Sequence, residues 1–111
     1  MKKKIICFDL DGVICSNTLG NYKEAKPIKL NIKKINELYD QGNYIKIYTA
    51  RFMGRSNDNA NKAKKKAYDM TVKQLKKWKL KYHKLFFGKI SYDIIIDDKA
   101  LGFKKGWRKL L

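Results

Sequence analysis

Short apolar runs alternate with helical stripes along the chain, and this alternation constrains the fold more than any other feature. KIICFDL at 4–10, YIKIYTA at 44–50, LFF at 85–87 and DIIIDD at 93–98 read as strands. The first lacks clean alternation of apolar and polar positions, as expected of a strand covered on both faces. Between the first two runs, Ile28, Ile32, Ile35 and Tyr39 recur at spacings of 4, 3 and 4, with Leu38 beside them. Pro27 precedes this stripe and Gly42 follows it, a start and a stop for a helix. A second stripe, Tyr68, Val72, Leu75, Trp78 and Tyr82, is spaced 4, 3, 3 and 4. The polar segment GRSNDNANK at 54–62 reads as a loop or a frayed helix start. Strand, helix, strand order predicts a parallel sheet with right-handed crossovers. The expected class is α/β, a three-layer Rossmann-like sandwich around a short parallel sheet. At 111 residues it is one domain, 1–111.

The ends of these runs carry the chemistry. In an open parallel sheet, ligands bind at the carboxyl ends of the strands. Asp9 and Asp11 end the first run, Thr49 ends the second, Lys89 follows the third, and Asp97 and Asp98 end the fourth. Carboxylates gathered at one sheet edge need a cation to stay ionised together. With no His or Cys in metal-ligand spacing, an all-oxygen set suits Mg²⁺ rather than zinc. The Thr49 hydroxyl and the Lys89 ammonium suit a phosphoryl group. No GxxxxGK[ST] loop is present, so an ATP site of that kind is excluded. A carboxylate nucleophile forming an aspartyl phosphate fits the residue types. A carboxylate two residues on can protonate the leaving alcohol and then activate water.

Charge bears on the partner. The net charge is +17, from 27 basic and 10 acidic residues, which makes attraction to anions a legitimate expectation. Only Arg51, Arg55 and Arg108 are arginine, the usual reader of phosphate forks and base edges. The lysines are spread over both helical segments, so nucleic acid is not the favoured partner. Cys7 lies inside the apolar run and reads as a buried reduced thiol, while Cys15 falls near the carboxylates. His83, at a lysine-rich helix end, reads as a solvated surface residue. The apolar run before Asp9 is too short for a signal peptide, and no stretch approaches the roughly 20 apolar residues of a membrane span. The expected compartment is the cytoplasm, without a membrane partner.

FDLDGV (8–13), IYTAR (47–51), FGK (87–89) and IIIDDKA (94–100) together resemble the four motifs of the haloacid dehalogenase superfamily, in order and at the expected strand ends. More narrowly, the pattern is similar to small phosphatases of bacterial capsular polysaccharide biosynthesis. The resemblance implies that Asp9 is the phosphorylated nucleophile and gives one oxygen to Mg²⁺. It implies that Asp11 is the general acid and base, with its main-chain carbonyl on the metal. Thr49 would hydrogen-bond the transferring phosphoryl group, and Lys89 would neutralise the nucleophile and the phosphate. Asp98 would bind the metal directly, with Asp97 supporting it from behind. Arg51 either grips a substrate anion or pairs with a site carboxylate. Lys99 would be an exposed support.

Residues 12–27 leave room for a hairpin flap and for no cap domain, so an uncapped, open site is expected. Ser16 to Lys26 and Phe52 to Asn59 are the expected specificity elements, and a fifth strand after Asp98 is not expected. The reading is a Mg²⁺-dependent phosphomonoester hydrolase acting on a phosphorylated sugar, polyol or sugar-nucleotide-linked intermediate of capsule synthesis. The alternatives are a nucleotidase or polynucleotide phosphatase, and a non-catalytic basic module binding nucleic acid. A homo-oligomer is left open.

Overall fold

The computed structural model describes residues 3–89, 94, 100–102 and 106–111. Three strands, β1 (Ile5–Asp9), β2 (Tyr44–Thr49) and β3 (Lys84–Phe87), form a parallel sheet in the order β1-β2-β3. Helix α1 (Lys29–Asp40) connects the first two strands, and α2 (Ala60–Lys77) connects the second and third. Of the fourth apolar run only Ile94 is described; it has no strand assignment and is exposed. Asp97, Asp98 and Lys99 lie outside the described residues.

Register explains where the core lies. Ile6, Phe8, Ile45, Ile47 and Leu85 share one pleat face, and they pack with Ile32, Ile35 and Leu38 of α1 and Leu75 of α2. Trp107, in a short helical turn near the end of the chain, adds its ring to Phe8 at 6.0 Å between centroids. The other face carries Ile5, Cys7, Tyr48 and Phe86, all exposed. Burial that alternates along a strand marks a sheet covered on one side. The described residues therefore make two layers where three were expected. The reading of β1 as covered on both faces, and of Cys7 as a buried thiol, is corrected with it. Cys7 points to the open face.

Helix α1 follows its sequence signals. Gly42 takes φ +95 just past the helix, and Asn43 donates its N–H to Leu38 O at 3.2 Å, satisfying an end carbonyl. The buried Asn43 side chain then accepts from Lys4 N at 3.0 Å and donates to Leu38 O at 2.9 Å, fastening the helix end to β1. The α2 stripe holds at Leu75, Trp78 and Tyr82, which reach the core, and fails in the first half of the helix. Its buried residues are Ala63, Ala67, Thr71 and Leu75, and Tyr68 is exposed. These small side chains, at a spacing of four, face the short 54–56 turn and the Arg51 guanidinium. Within 54–62, the helix starts at Ala60 because the Asn59 side chain accepts from Lys62 N at 3.1 Å.

His83 is exposed, but it is not merely solvated. Its ring stacks on Tyr39 and Tyr44 at 4.5 and 4.4 Å, and its Nδ1 accepts from Ile45 N at 3.0 Å. Its main-chain N–H donates to Ile45 O at 2.9 Å, which carries the sheet ladder one residue ahead of β3. Among the described residues, no helix is long and apolar enough to cross a membrane.

Candidate active site

The first motif folds into a tight turn at the end of β1. Leu10 O accepts from Val13, Ile14 and Cys15 N–H groups at 3.3, 2.9 and 3.3 Å, closing the turn on itself. Gly12 has φ +95 there, a conformation that L side chains rarely adopt, which is the physical need behind the Asp-Gly pair. The far side of the turn is tied to α1: Ile28 N donates to Ile14 O at 2.9 Å, and the Asn31 side chain donates to Val13 O at 2.7 Å. Asp9 and Asp11 thus stand on a braced turn, not a free loop.

Asp9 accepts from Leu10 N at 2.9 Å and pairs with Lys89 Nζ at 3.4 Å. Lys89 arrives from the end of β3, held by its main-chain N–H on Thr49 O at 3.2 Å. The ends of all three strands therefore meet at this pair. Partial burial pushes the Asp9 carboxyl above its ordinary range, against the opposing pull of Lys89 and the Leu10 N–H.

Arg51 is fully buried and sits under Asp11. Its Nε donates to both Asp11 oxygens at 3.2 and 3.0 Å, and one terminal nitrogen donates to Asp11 Oδ1 at 3.0 Å. The same nitrogen lies 3.7 Å from Cys15 Sγ. The other donates to Thr71 Oγ1 at 3.1 Å and to Gln74 Oε1 at 2.6 Å. A guanidinium has five N–H donors, and these partners engage all of them. Of the two roles considered for Arg51, the structure places it on the site carboxylate. Its main-chain N–H also donates to Thr49 Oγ1 at 3.1 Å, and Thr49 is itself fully buried.

Gln74 extends this network to the flap. Its Nε2 donates to Tyr22 O at 2.8 Å, and the Tyr22 ring lies 5.0 Å from the Arg51 guanidinium carbon. The Tyr22 hydroxyl accepts from Phe52 N at 3.3 Å, so both expected specificity segments touch through one side chain. The base of the flap is pinned by Ser16 N on Lys26 O at 2.8 Å and Lys26 N on Ser16 Oγ at 2.9 Å. Sequence reasoning missed Thr71, Gln74 and Tyr22. The available signal was Thr71, a polar residue in step with the buried alanines of α2.

Cys15 is buried, with Sγ 3.4 Å from Asp11 Oδ1 and 3.7 Å from Leu10 O. Burial, reinforced by the Asp11 charge, pushes its thiol up to about 12, so it is inert at neutral pH. Among the described residues, no three carboxylate, Cys or His side chains are grouped to hold a metal. Asp9 and the Asp11 main chain offer hard oxygen donors of the kind Mg²⁺ takes. The expected third donor, Asp98, and its neighbour Asp97 lie outside the described residues. An open surface groove of about 840 Å³ lies by Pro27, Ile32, Asn36 and Trp78 and includes none of the expected site residues.

Neither the protein-family models nor the curated proteins compared with this chain give a match. The chain is similar to the crystal structure of an MCSG target from Vibrio cholerae, with a TM-score of 0.80 and 28% sequence identity. The similarity covers 90% of this chain and 83% of that one. A compact α/β fold of the Rossmann-like kind is common to both.

Proposed function

We propose that the protein is a Mg²⁺-dependent phosphomonoester hydrolase of the haloacid dehalogenase type, working through an aspartyl phosphate on Asp9. The observation that carries this reading is the Asp9–Lys89 pair at 3.4 Å, at the carboxyl edge of the sheet, one turn from an Asp11 clamped by Arg51. A binding module has no need for a carboxylate whose burial is offset by a lysine, beside a second carboxylate held on a buried arginine.

In this mechanism an Asp9 oxygen attacks phosphorus, and the bond from phosphorus to the ester oxygen breaks. Asp11, protonated once it turns away from Arg51, gives that proton to the departing alcohol, then takes one from the water that cleaves the acyl phosphate. Asp9 is restored and inorganic phosphate leaves. Lys89 offsets negative charge on Asp9 and on the phosphoryl oxygens. The Thr49 hydroxyl accepts from Arg51 N and is fully buried, so here it holds the Arg51 segment in place. The phosphoryl contact that the resemblance implies would need this strand end to open. Asp11 must turn from Arg51 toward the leaving oxygen, and its side chain is 18% exposed, at the edge of the buried network. Asp9, the Asp11 carbonyl and Asp98 would hold Mg²⁺, which supplies charge neutralisation for the incoming phosphate. The substrate class suggested by the motif resemblance is a phosphorylated sugar, polyol or sugar-nucleotide-linked intermediate.

The test is hydrolysis of p-nitrophenyl phosphate with and without Mg²⁺. Metal-dependent turnover lost in Asp9→Asn is expected. Turnover indifferent to metal, or surviving that substitution, rules the reading out.

A further inference from the structure

The sheet register lines up three rows of side chains on the face that the helices leave open. Asp9, Tyr48 and Phe86 are neighbours across β1, β2 and β3; Cys7, Lys46 and Lys84 form the next row; Ile5 and Tyr44 form the third. Tyr48 and Phe86 meet edge to face at 6.5 Å and are 37% and 40% exposed. Lys46 Nζ lies 5.6 Å from the centre of the Phe86 ring. A groove of about 310 Å³ runs between Ile5, Tyr44, Lys46, Lys84 and Phe86. Open rings on a sheet stack bases, and ammonium groups beside them neutralise backbone phosphates.

We propose that this face docks single-stranded nucleic acid, with bases on Tyr48 and Phe86 and backbone phosphates at Lys46 and Lys84. Charge selects the occupant. A second copy would set another Lys46 and Lys84, on a chain of net charge +17, against the same lysines. A neutral apolar partner would strip water from two ammonium groups without pairing them. A polyanion carrying flat rings satisfies both kinds of group at once. The lysines looked scattered along the chain, but pairing of β2 with β3 sets two of them side by side next to the rings. The row that holds the rings begins at Asp9, so a strand laid there presents a terminal phosphate to the carboxylate edge. That last step rests on the phosphatase reading; the docking does not.

The experiment is binding of a fluorescein-labelled oligothymidylate in EDTA, where metal-dependent turnover is absent. Tyr48→Ala and Phe86→Ala are each expected to weaken binding about tenfold. Lys46→Gln should lower the slope of log affinity against log salt by about 0.7. Lys66→Gln, at an exposed position of α2, should change neither, and circular dichroism checks that each variant is folded. No binding, or equal losses from Lys66→Gln and the ring variants, overturns the proposal. A dimer that Tyr48→Lys disperses does the same, assigning the face to a second copy. A protein that binds through Tyr48 and Phe86 yet hydrolyses no phosphate ester supports the docking and sinks the phosphatase reading alone.

Discussion

Arg51 holds both oxygens of Asp11 from beneath, at 3.0 to 3.2 Å, and is itself completely buried. The pair joins the turn after β1 to the end of β2, and Thr71 and Gln74 lock it to α2. Two structural jobs therefore fall on one guanidinium: neutralising a carboxylate and fixing where it rests between turnovers.

Arg51→Ala leaves Asp11 without its buried partner, and the expected loss is about 3–5 kcal/mol of stability. Turnover should fall with it. Arg51→Lys restores charge without the fork that reaches Asp11, Thr71 and Gln74 together, so it should rescue little. Denaturant melts and p-nitrophenyl phosphate kinetics check this. A substrate-gripping arginine would give the opposite pattern, a raised KM with the melting transition unmoved.

Asp9 gives a pH dependence whose sign follows from its environment. Burial raises its pKa in the folded state above the unfolded value of about 3.9. Its contribution to stability is then fully present below that unfolded value and is lost as pH rises through the folded one. In EDTA, Asp9→Asn should flatten the decline of melting temperature from pH 4 to 7. Added Mg²⁺ should raise the melting temperature of the unaltered protein and leave that of Asp9→Asn where it was. Parallel pH curves for the two proteins would contradict this.

The two cysteines should separate cleanly. With its thiol pushed up to about 12, Cys15 is thiolate in about one molecule in ten thousand at pH 8, and it is also out of reach of reagent. Cys7 is exposed on the open face. Iodoacetamide followed by peptide mass spectrometry should find Cys7 modified in the native protein, and both modified only in denaturant. Rapid native labelling of Cys15 would mean that the turn holding Asp11 opens readily.

Gly88 sets the position of Lys89. It has φ +111, and a Cβ there would stand 3.0 Å from the Ala60 Cβ at the start of α2. Gly88→Ala should cost about 1–3 kcal/mol through backbone strain and move Lys89 off Asp9, lowering turnover. Gly102, with nothing within 4 Å of its Cβ position, is the control and should tolerate alanine. Equal effects at the two glycines would remove the case for a positioned Lys89.

Much of the scaffold was legible because it is local. Helix α1 begins after Pro27 and ends before Gly42 as its flanking residues predicted, and all three described strands fall on apolar runs. Helix α2 was placed, and Leu75, Trp78 and Tyr82 of its stripe reach the core, but Tyr68 does not. Tyr68 looked like part of the core stripe, whereas Ala63, Ala67 and Thr71 are the buried positions there, with Thr71 on Arg51. The site was legible in part: Asp9 and Lys89 meet as their motif positions suggested, and the choice between two roles for Arg51 was not readable from neighbours in sequence.

The sequence by itself determined which residues stand at strand ends, because hydrophobic period and turn chemistry act over a few residues. Only the tertiary structure decided what each strand end touches. Arg51 was committed to Asp11 by Thr71 and Gln74, 20 and 23 residues further on, and the exposure of Cys7, Tyr48 and Phe86 followed from both helices packing on one face. Contacts between distant segments depend on how elements stack, and no local pattern carries that information.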